Sequence, residues 1–237
     1  MRLDGRGALV VGGTGALGAA IADLYAAHGA SVVVADLGAE SSPHPAVSID
    51  ITDEAEVRRA VTEAKELLGG SIDILVNSAG ILSEAPVASM ALDLWQKTID
   101  VDLTGVFLLC REVVPGMIEQ RWGRIINVTS QLGLKGGRTM AHYSAAKAGV
   151  VGLTKSLALE VAEHNVLVNA IAPGPFETKM VAELSKEWRD AKMAELPLGR
   201  FGLPEEVAPT ALLLASDPGG NIYVGQTLGP NSGDVMP

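Results

Sequence analysis

Tyr143 and Lys147 stand four residues apart in Tyr143-Ser144-Ala145-Ala146-Lys147, a spacing that puts both side chains on one face of a helix. A free tyrosine has a pKa near 10, so a phenol that moves protons at neutral pH needs a neighbour that favours its anion. Burial alone works in the wrong direction, and a nearby ammonium works in the right one. The pair is a candidate acid/base centre, although the same spacing also arises where a buried tyrosine adjoins a solvated lysine. Ser130 lies 13 residues before Tyr143, at the end of the apolar run Ile125-Ile126-Asn127-Val128-Thr129.

A second constellation lies near the start of the chain. Gly13-Thr14-Gly15-Ala16-Leu17-Gly18, preceded by Gly12, has the form G-x-G-x-x-G between an apolar run and a helical segment. Glycines there permit a tight turn and the close approach of a pyrophosphate, whose charge rests at the helix N-terminus. Alone the pattern is weak, because glycine-rich turns also end ordinary strands. Asp36 strengthens it. It ends the next apolar run, 18 residues past Gly18, where a carboxylate accepts hydrogen bonds from a ribose diol and repels a 2′-phosphate. No Lys or Arg occurs in the glycine loop or directly after Asp36, where Leu37 follows. These residues predict NAD rather than NADP as cofactor. The plainer role for Asp36 is that of a turn residue at a strand end.

Apolar, β-branched runs at Ala8–Gly12, Val32–Asp36, Ala46–Asp50, Ile74–Asn77, Arg124–Thr129, Val166–Ile171 and Gly225–Leu228 alternate with helical segments at Ala16–His28, Glu54–Leu68, Ala91–Gln120, Tyr143–His164 and Glu205–Ala215. Such alternation reads as βαβ units, and near-continuous apolar strands as a parallel sheet covered on both faces. The expected architecture is α/β: a single doubly wound Rossmann-type domain over residues 1–237, with a seven-stranded parallel sheet flanked by helices on both faces. Ligands of such sheets sit beyond the carboxyl ends of the strands, which puts Ser130 on the same rim as the glycine loop.

Composition narrows the functional classes. The 237 residues include 48 % hydrophobic and 19 % charged side chains, which excludes a disordered chain and supplies a core without metals or disulfides. A formal charge of −10 argues against a nucleic-acid backbone or an anionic membrane as partner. Cys110 is the single cysteine, so no intrachain disulfide exists. It sits in an apolar segment and reads as a small core residue. The first 27 residues superficially resemble a signal peptide, but Asp4 and the clustered glycines fit an apolar helix poorly. No uninterrupted apolar stretch approaches the ~20 residues of a membrane span. A soluble, cytoplasmic protein is expected. His28, His44, His142 and His164 show no metal-ligand spacing, so no metal site is expected.

Taken together, these residues resemble the classical short-chain dehydrogenases/reductases, and the resemblance covers essentially the whole chain. It includes the glycine loop Gly12–Gly18, Asp50-Ile51 after the third strand, Asn77-Ser78-Ala79-Gly80 at the fourth, then Ser130, Tyr143 and Lys147. It continues through Pro173-Gly174-Pro175-Phe176-Glu177-Thr178 after the sixth. The resemblance implies reversible hydride transfer between NAD and a secondary alcohol or ketone. Tyr143 would be the acid/base, Ser130 would orient and polarise the carbonyl, and Lys147 would favour the tyrosine anion and bind the nicotinamide ribose. Cofactor contacts would come from Gly12, Thr14, Gly15, Ala16, Leu17, Gly18, Asp36, Leu37, Asp50, Ile51, Asn77, Ala79, Gly80, Pro173, Gly174, Phe176 and Thr178. Asp50 and Ile51 would meet the adenine, Phe176 the carboxamide and Thr178 the phosphates. A substrate lid would lie near 179–200, and the assembly would be a homotetramer.

Three positions depart from the family pattern. Ala16 stands where a glycine is expected, with Gly15 instead placed as in nucleotide-sugar enzymes. Ser78 replaces an asparagine. Asp102 occupies the place of a catalytic asparagine whose helix backbone supports a proton-relay water, and an ionised Asp only accepts hydrogen bonds. The substrate class is left between a 3-hydroxyacyl thioester and a cyclic secondary alcohol. Two other functions are weighed: an NAD(H)-binding regulator without turnover, and a nucleotide-sugar epimerase or dehydratase. Only 59 residues follow Thr178, which is short for the second.

Overall fold

The computed structural model describes residues 1–177 and 186–236. Seven parallel strands form one sheet in the order β3-β2-β1-β4-β5-β6-β7: β1 (Gly7–Val11), β2 (Ser31–Asp36), β3 (Ala46–Ser48), β4 (Ile74–Asn77), β5 (Gly123–Val128), β6 (Val166–Ile171) and β7 (Thr227–Leu228). Strand order reverses between β1 and β4, whose registers align Val11 with Asn77, so a crevice opens beyond their carboxyl ends.

The apolar runs look unbroken because alternate residues serve opposite faces. Leu9, Val11, Val33, Leu75, Ile125 and Val168 pack beneath α2 (Glu54–Leu67), α4 (Gly105–Glu119) and α6 (Ala141–Val161). Ala8, Val10, Val34, Ile74, Val76 and Ile126 pack beneath α1 (Ala16–Ala27) and α8 (Pro204–Ala215). Local chemistry sets the helix ends. Asp53 caps α2 by accepting the N–H groups of Ala55 and Glu56 at 2.8 and 3.2 Å. Pro204 opens α8, where Glu206 accepts the Leu203 N–H at 2.9 Å.

The segment expected as one helix over 91–120 is three pieces. Helix α3 (Leu92–Ile99) runs into a π-helical turn at Asp100–Thr104 and then into α4. One extra residue per turn re-aims the side chains there, and such turns recur at functional sites. A further single-turn helix, α5 (Leu132–Lys135), follows Ser130, and α7 (Lys186–Glu195) begins after the segment 178–185, which lies outside the described residues. The last strand is shorter than the run at Gly225–Leu228. Among the described residues, no helix is long and apolar enough to cross a membrane.

Buried polar side chains link strand ends to helices. Asn77 Nδ2 donates to Asn127 Oδ1 at 2.8 Å, and Asn127 Nδ2 donates to Thr154 Oγ1 on α6 at 2.9 Å. Cys110 on α4 lies against both asparagines, fully buried, and burial pushes its thiol up to about 12.

Ile126 is 0 % exposed, at the centre of the sheet. Ile126→Ala is expected to cost about 2–5 kcal/mol of stability, read from the urea midpoint at constant m. A loss below about 1 kcal/mol would show that this layer collapses around the cavity.

Candidate functional site

A cleft of about 800 Å³ opens at the β1/β4 divide. Gly12, Thr14, Gly15, Asp36, Leu37, Asp50, Ile51, Ala79 and Gly80 all line it. Gly12 has φ +78°, and a Cβ there would overlap the backbone nitrogen of Ala79. Gly18 is pressed so closely on the carbonyl of Gly12 that a Cβ would overlap it too. These glycines draw the β1–α1 turn down onto the end of β4. No side chain caps the N-terminus of α1, so the N–H groups of its first turn are left for an anionic acceptor. The residues present therefore suit a dinucleotide pyrophosphate.

Asp36 is held by hydrogen bonds within the chain. Its Oδ2 accepts the Thr14 hydroxyl at 2.6 Å and the Thr14 N–H at 3.1 Å, while Oδ1 accepts the Leu37 N–H at 2.8 Å. Asp50 is held below the usual carboxylate range by hydrogen bonds from the Thr52 hydroxyl and N–H. The cleft wall also includes Asp93, Gln96, Lys97 and Asp100 from α3 and its continuation, residues the motif reading did not single out. Their signal was present: spacings of three, four and seven place them on one helical face. Asp36, Asp50, Asp93 and Asp100 thus face one cation, Lys97, among the lining side chains.

Other expected contacts lie beside the cleft rather than in its wall. Ala16 is exposed at the start of α1, Leu17 is buried in the core beneath it, and Gly18 packs on Gly12. Asn77 is buried and spends its amide on Asn127. Pro173 accepts the Gln131 N–H at 3.1 Å, Gly174 packs on Asn231, and Phe176 bridges to Gly202. Thr178 lies outside the described residues.

Ser130 follows β5, and Tyr143 and Lys147 lie on α6, as their spacing predicts. Ser130 Oγ accepts the Leu132 N–H at 3.1 Å, which leaves its proton to donate outward. Lys147 is 4 % exposed. Its Nζ donates to the Val128 carbonyl at 3.3 Å and lies 5.6 Å from the centre of the Tyr143 ring. The serine loop is clamped to this helix twice. Thr129 Oγ1 donates to the Lys147 carbonyl at 2.7 Å, and Gly133 meets the Lys147 backbone so closely that a Cβ would stand 2.8 Å from its carbonyl carbon. His142 is fully buried, with Nε2 2.9 Å from Ser83 Oγ.

Asp102 sits in the π-helical turn with no exposure. Its Oδ1 accepts the Ile81 N–H at 2.8 Å, and its Oδ2 is buried without a partner. A Cβ on Gly80 would lie 2.9 Å from Asp102 Oδ1 and 3.2 Å from Lys147 Nζ, so glycine is what lets both groups close on that point. Burial pushes the Asp102 carboxyl above the usual range, against the opposing pull of Lys147 and the Ile81 hydrogen bond.

A family profile described as "Enoyl-(Acyl carrier protein) reductase" matches residues 12–233. The chain is 41 % identical to 3-oxoacyl-[acyl-carrier-protein] reductase FabG of Aquifex aeolicus (strain VF5), with 92 % of each chain covered. It is 40 % identical to the FabG of Thermotoga maritima (strain ATCC 43589 / DSM 3109 / JCM 10099 / NBRC 100826 / MSB8), with 100 % of each covered. It is also 39 % identical to 2-dehydro-3-deoxy-L-rhamnonate dehydrogenase (NAD(+)) of Sphingomonas sp. (strain SKA58), over 91 % of this chain and 90 % of that one. The solved structure described as "Crystal structure of gox2181" superposes with a TM-score of 0.93 at 36 % identity, covering 98 % of this chain and 96 % of that one.

A carboxyl whose folded pKa is raised stabilises the fold only while protonated, and that contribution is lost as pH rises through its folded pKa. Asp102→Asn removes the titration. The variant is expected to match the wild type in acid and to become the more stable of the two as pH rises from about 4, measured by urea unfolding across pH. A constant difference at all pH values would contradict a raised Asp102.

Proposed function

The chain belongs to the classical short-chain dehydrogenase/reductase family, and we propose that within it the protein works with NAD on 3-hydroxyacyl and 3-oxoacyl thioesters. It is an oxidoreductase of the ketoreductase class, acting on CH–OH with a nicotinamide cofactor. The observation that carries the choice of NAD is Asp36, already oriented by Thr14 and Leu37 at the adenosine end of the cleft. A 2′-phosphate there would meet that carboxylate and a wall richer in aspartate than in cations. The name of the 39 % identical Sphingomonas relative, which specifies NAD(+), agrees with this choice. Thioester substrates are supported by the names of the Aquifex and Thermotoga relatives.

When bound, the nicotinamide supplies the hydride acceptor or donor. The roles of the chain's own residues then follow from their chemistry. The glycine turn and the first N–H groups of α1 hold the pyrophosphate, and Asp36 accepts hydrogen bonds from the ribose diol. Ser130 donates its hydroxyl proton to the substrate oxygen. Tyr143 takes the proton of the alcohol in oxidation and returns one to the carbonyl oxygen in reduction. The Lys147 ammonium stabilises negative charge on the phenolic oxygen. Orientation and preorganised hydrogen bonds provide most of the rate.

Residues 1–237 act in this reading as one dinucleotide-binding and catalytic unit; the part of the expected lid at 179–185 lies outside the described residues. A homotetramer would cover apolar side chains that are otherwise exposed, notably Leu159 on α6, 84 % exposed, and Ile222 before β7, 89 % exposed.

Two experiments test the proposal. Tyr143→Phe is expected to lower kcat by at least about 10²-fold while dinucleotide binding, followed by nucleotide fluorescence, stays within twofold. Retained turnover would remove Tyr143 from the mechanism. Wild-type protein should use NAD(H) in preference to NADP(H), and Asp36→Ala should reduce that preference by about 10–100-fold, the worth of a charge-assisted hydrogen bond. A wild-type preference for NADP(H) would overturn the role given to Asp36.

A further inference from the structure

The last described residues tie together parts of the molecule that are remote in sequence but border the catalytic serine. Pro230 accepts the Gly174 N–H at 3.2 Å, and the Asn231 carbonyl would stand 2.7 Å from a Cβ on Gly174. Ser232 accepts the Leu198 N–H at 3.2 Å, just beyond α7. Gly233, at φ +85°, presses on the ring of Pro197. Asn231 closes the turn, with Oδ1 accepting the Gly233 N–H at 3.0 Å and Nδ2 donating to the Val235 carbonyl at 2.8 Å. This turn delivers Asp234 inward, its side chain 6 % exposed.

Two ammonium groups converge on that carboxylate. Lys135 Nζ, on α5, lies 2.7 Å from Oδ1. Lys192 Nζ, on α7, lies 3.1 Å from Oδ2 and 3.3 Å from Oδ1, and it also reaches Glu195 at 2.9 Å. Burial works against the charge on Asp234, but the hydrogen bonds from Lys135 and Lys192 hold its carboxyl below the usual range. The geometry is asymmetric. Losing either lysine leaves Asp234 paired with the other, whereas losing the carboxylate removes the one group that joins them, leaving Lys192 with Glu195 and Lys135 without that ion pair.

Both anchored helices bear on catalysis. Only Gln131 separates Ser130 from α5, and Ser130 accepts the Leu132 N–H through Oγ and the Gly133 N–H through its carbonyl. A shift of α5 is therefore felt at the serine hydroxyl. Helix α7 is also tied by Arg189, whose Nη2 donates to both oxygens of Glu177 at 2.8 and 3.0 Å, next to Phe176.

We propose that Asp234 is a positioning residue that fixes helix α7 relative to the loop carrying Ser130, and so sets how the substrate carbonyl is held for reaction. The proposal rests on Ser130 and Tyr143 having the catalytic roles given above.

The test compares Asp234→Asn, Asp234→Glu, Lys135→Met and Lys192→Met with the wild type in two measurements. The first, independent of substrate, is amide hydrogen exchange of peptides covering 130–136 and 186–195. Asp234→Asn is expected to speed exchange in both by about tenfold, with peptides of β1 and β4 unchanged. The second is steady-state kinetics, where Asp234→Asn should raise KM for the carbonyl substrate by about tenfold and leave KM for the dinucleotide within twofold. Asp234→Glu should recover part of the effect, and each single lysine variant should show less of it than Asp234→Asn. Unchanged exchange at 130–136 overturns the proposal whether or not the enzyme turns over. Faster exchange with an unchanged substrate KM overturns it as well, reducing Asp234 to a stabilising contact. Failure of the catalytic assignment is read separately, from full activity of Tyr143→Phe.

Discussion

Nothing larger than a hydrogen atom fits between the turn after β1 and the backbone that follows β4. Gly12 sits against Ala79 at a left-handed φ, and Gly18 lies on Gly12. Everything at the carboxyl edge of the sheet is arranged around that contact. It brings the uncapped start of α1 to the point where strand order reverses, and it puts Thr14 where it can hold Asp36 from the neighbouring strand. A doubly wound sheet supplies the crevice in general, and the missing side chains let the backbone of this turn line it directly.

The opposite half of the site is organised by buried charge. Lys147 is drawn to the Val128 carbonyl and closes with Asp102 on Gly80, the same small residue that lines the cleft. Helix α6, the π-helical turn and the segment that follows β4 therefore meet at one α-carbon. A buried carboxyl and a buried ammonium that approach without forming a direct pair create a site in which small displacements change local potential strongly, because the surroundings screen poorly.

The sequence was informative wherever function demands a rare residue type at a fixed spacing. The glycine turn, Asp36, Ser130 and the Tyr143/Lys147 pair all lie on the elements their spacing implied, and alternation of apolar runs gave the parallel sheet and its helices. It was uninformative where the deciding event is a change of phase. A 3.6-residue rhythm passes through residues 91–120 without announcing the extra residue at Asp100–Thr104. The stripe of Asp93, Gln96, Lys97 and Asp100 shares one helical face by its spacing, but that spacing does not say that the face borders the cleft. Asp234 was invisible for another reason. Its partners lie 99 and 42 positions away in the chain, and no local pattern encodes such a meeting.

The placement of Cys110 has a practical consequence. The protein's single thiol is sealed between Asn77, Asn127 and the underside of α4, with its proton held tightly. Thiolate is the form that reacts with oxidants and alkylating reagents, and burial disfavours both its formation and its access in the folded protein. Labelling can occur only when the seam between β4, β5 and α4 opens. The molecule thus carries a built-in reporter of its own breathing, in the middle of the sheet, and needs no engineered probe to use it.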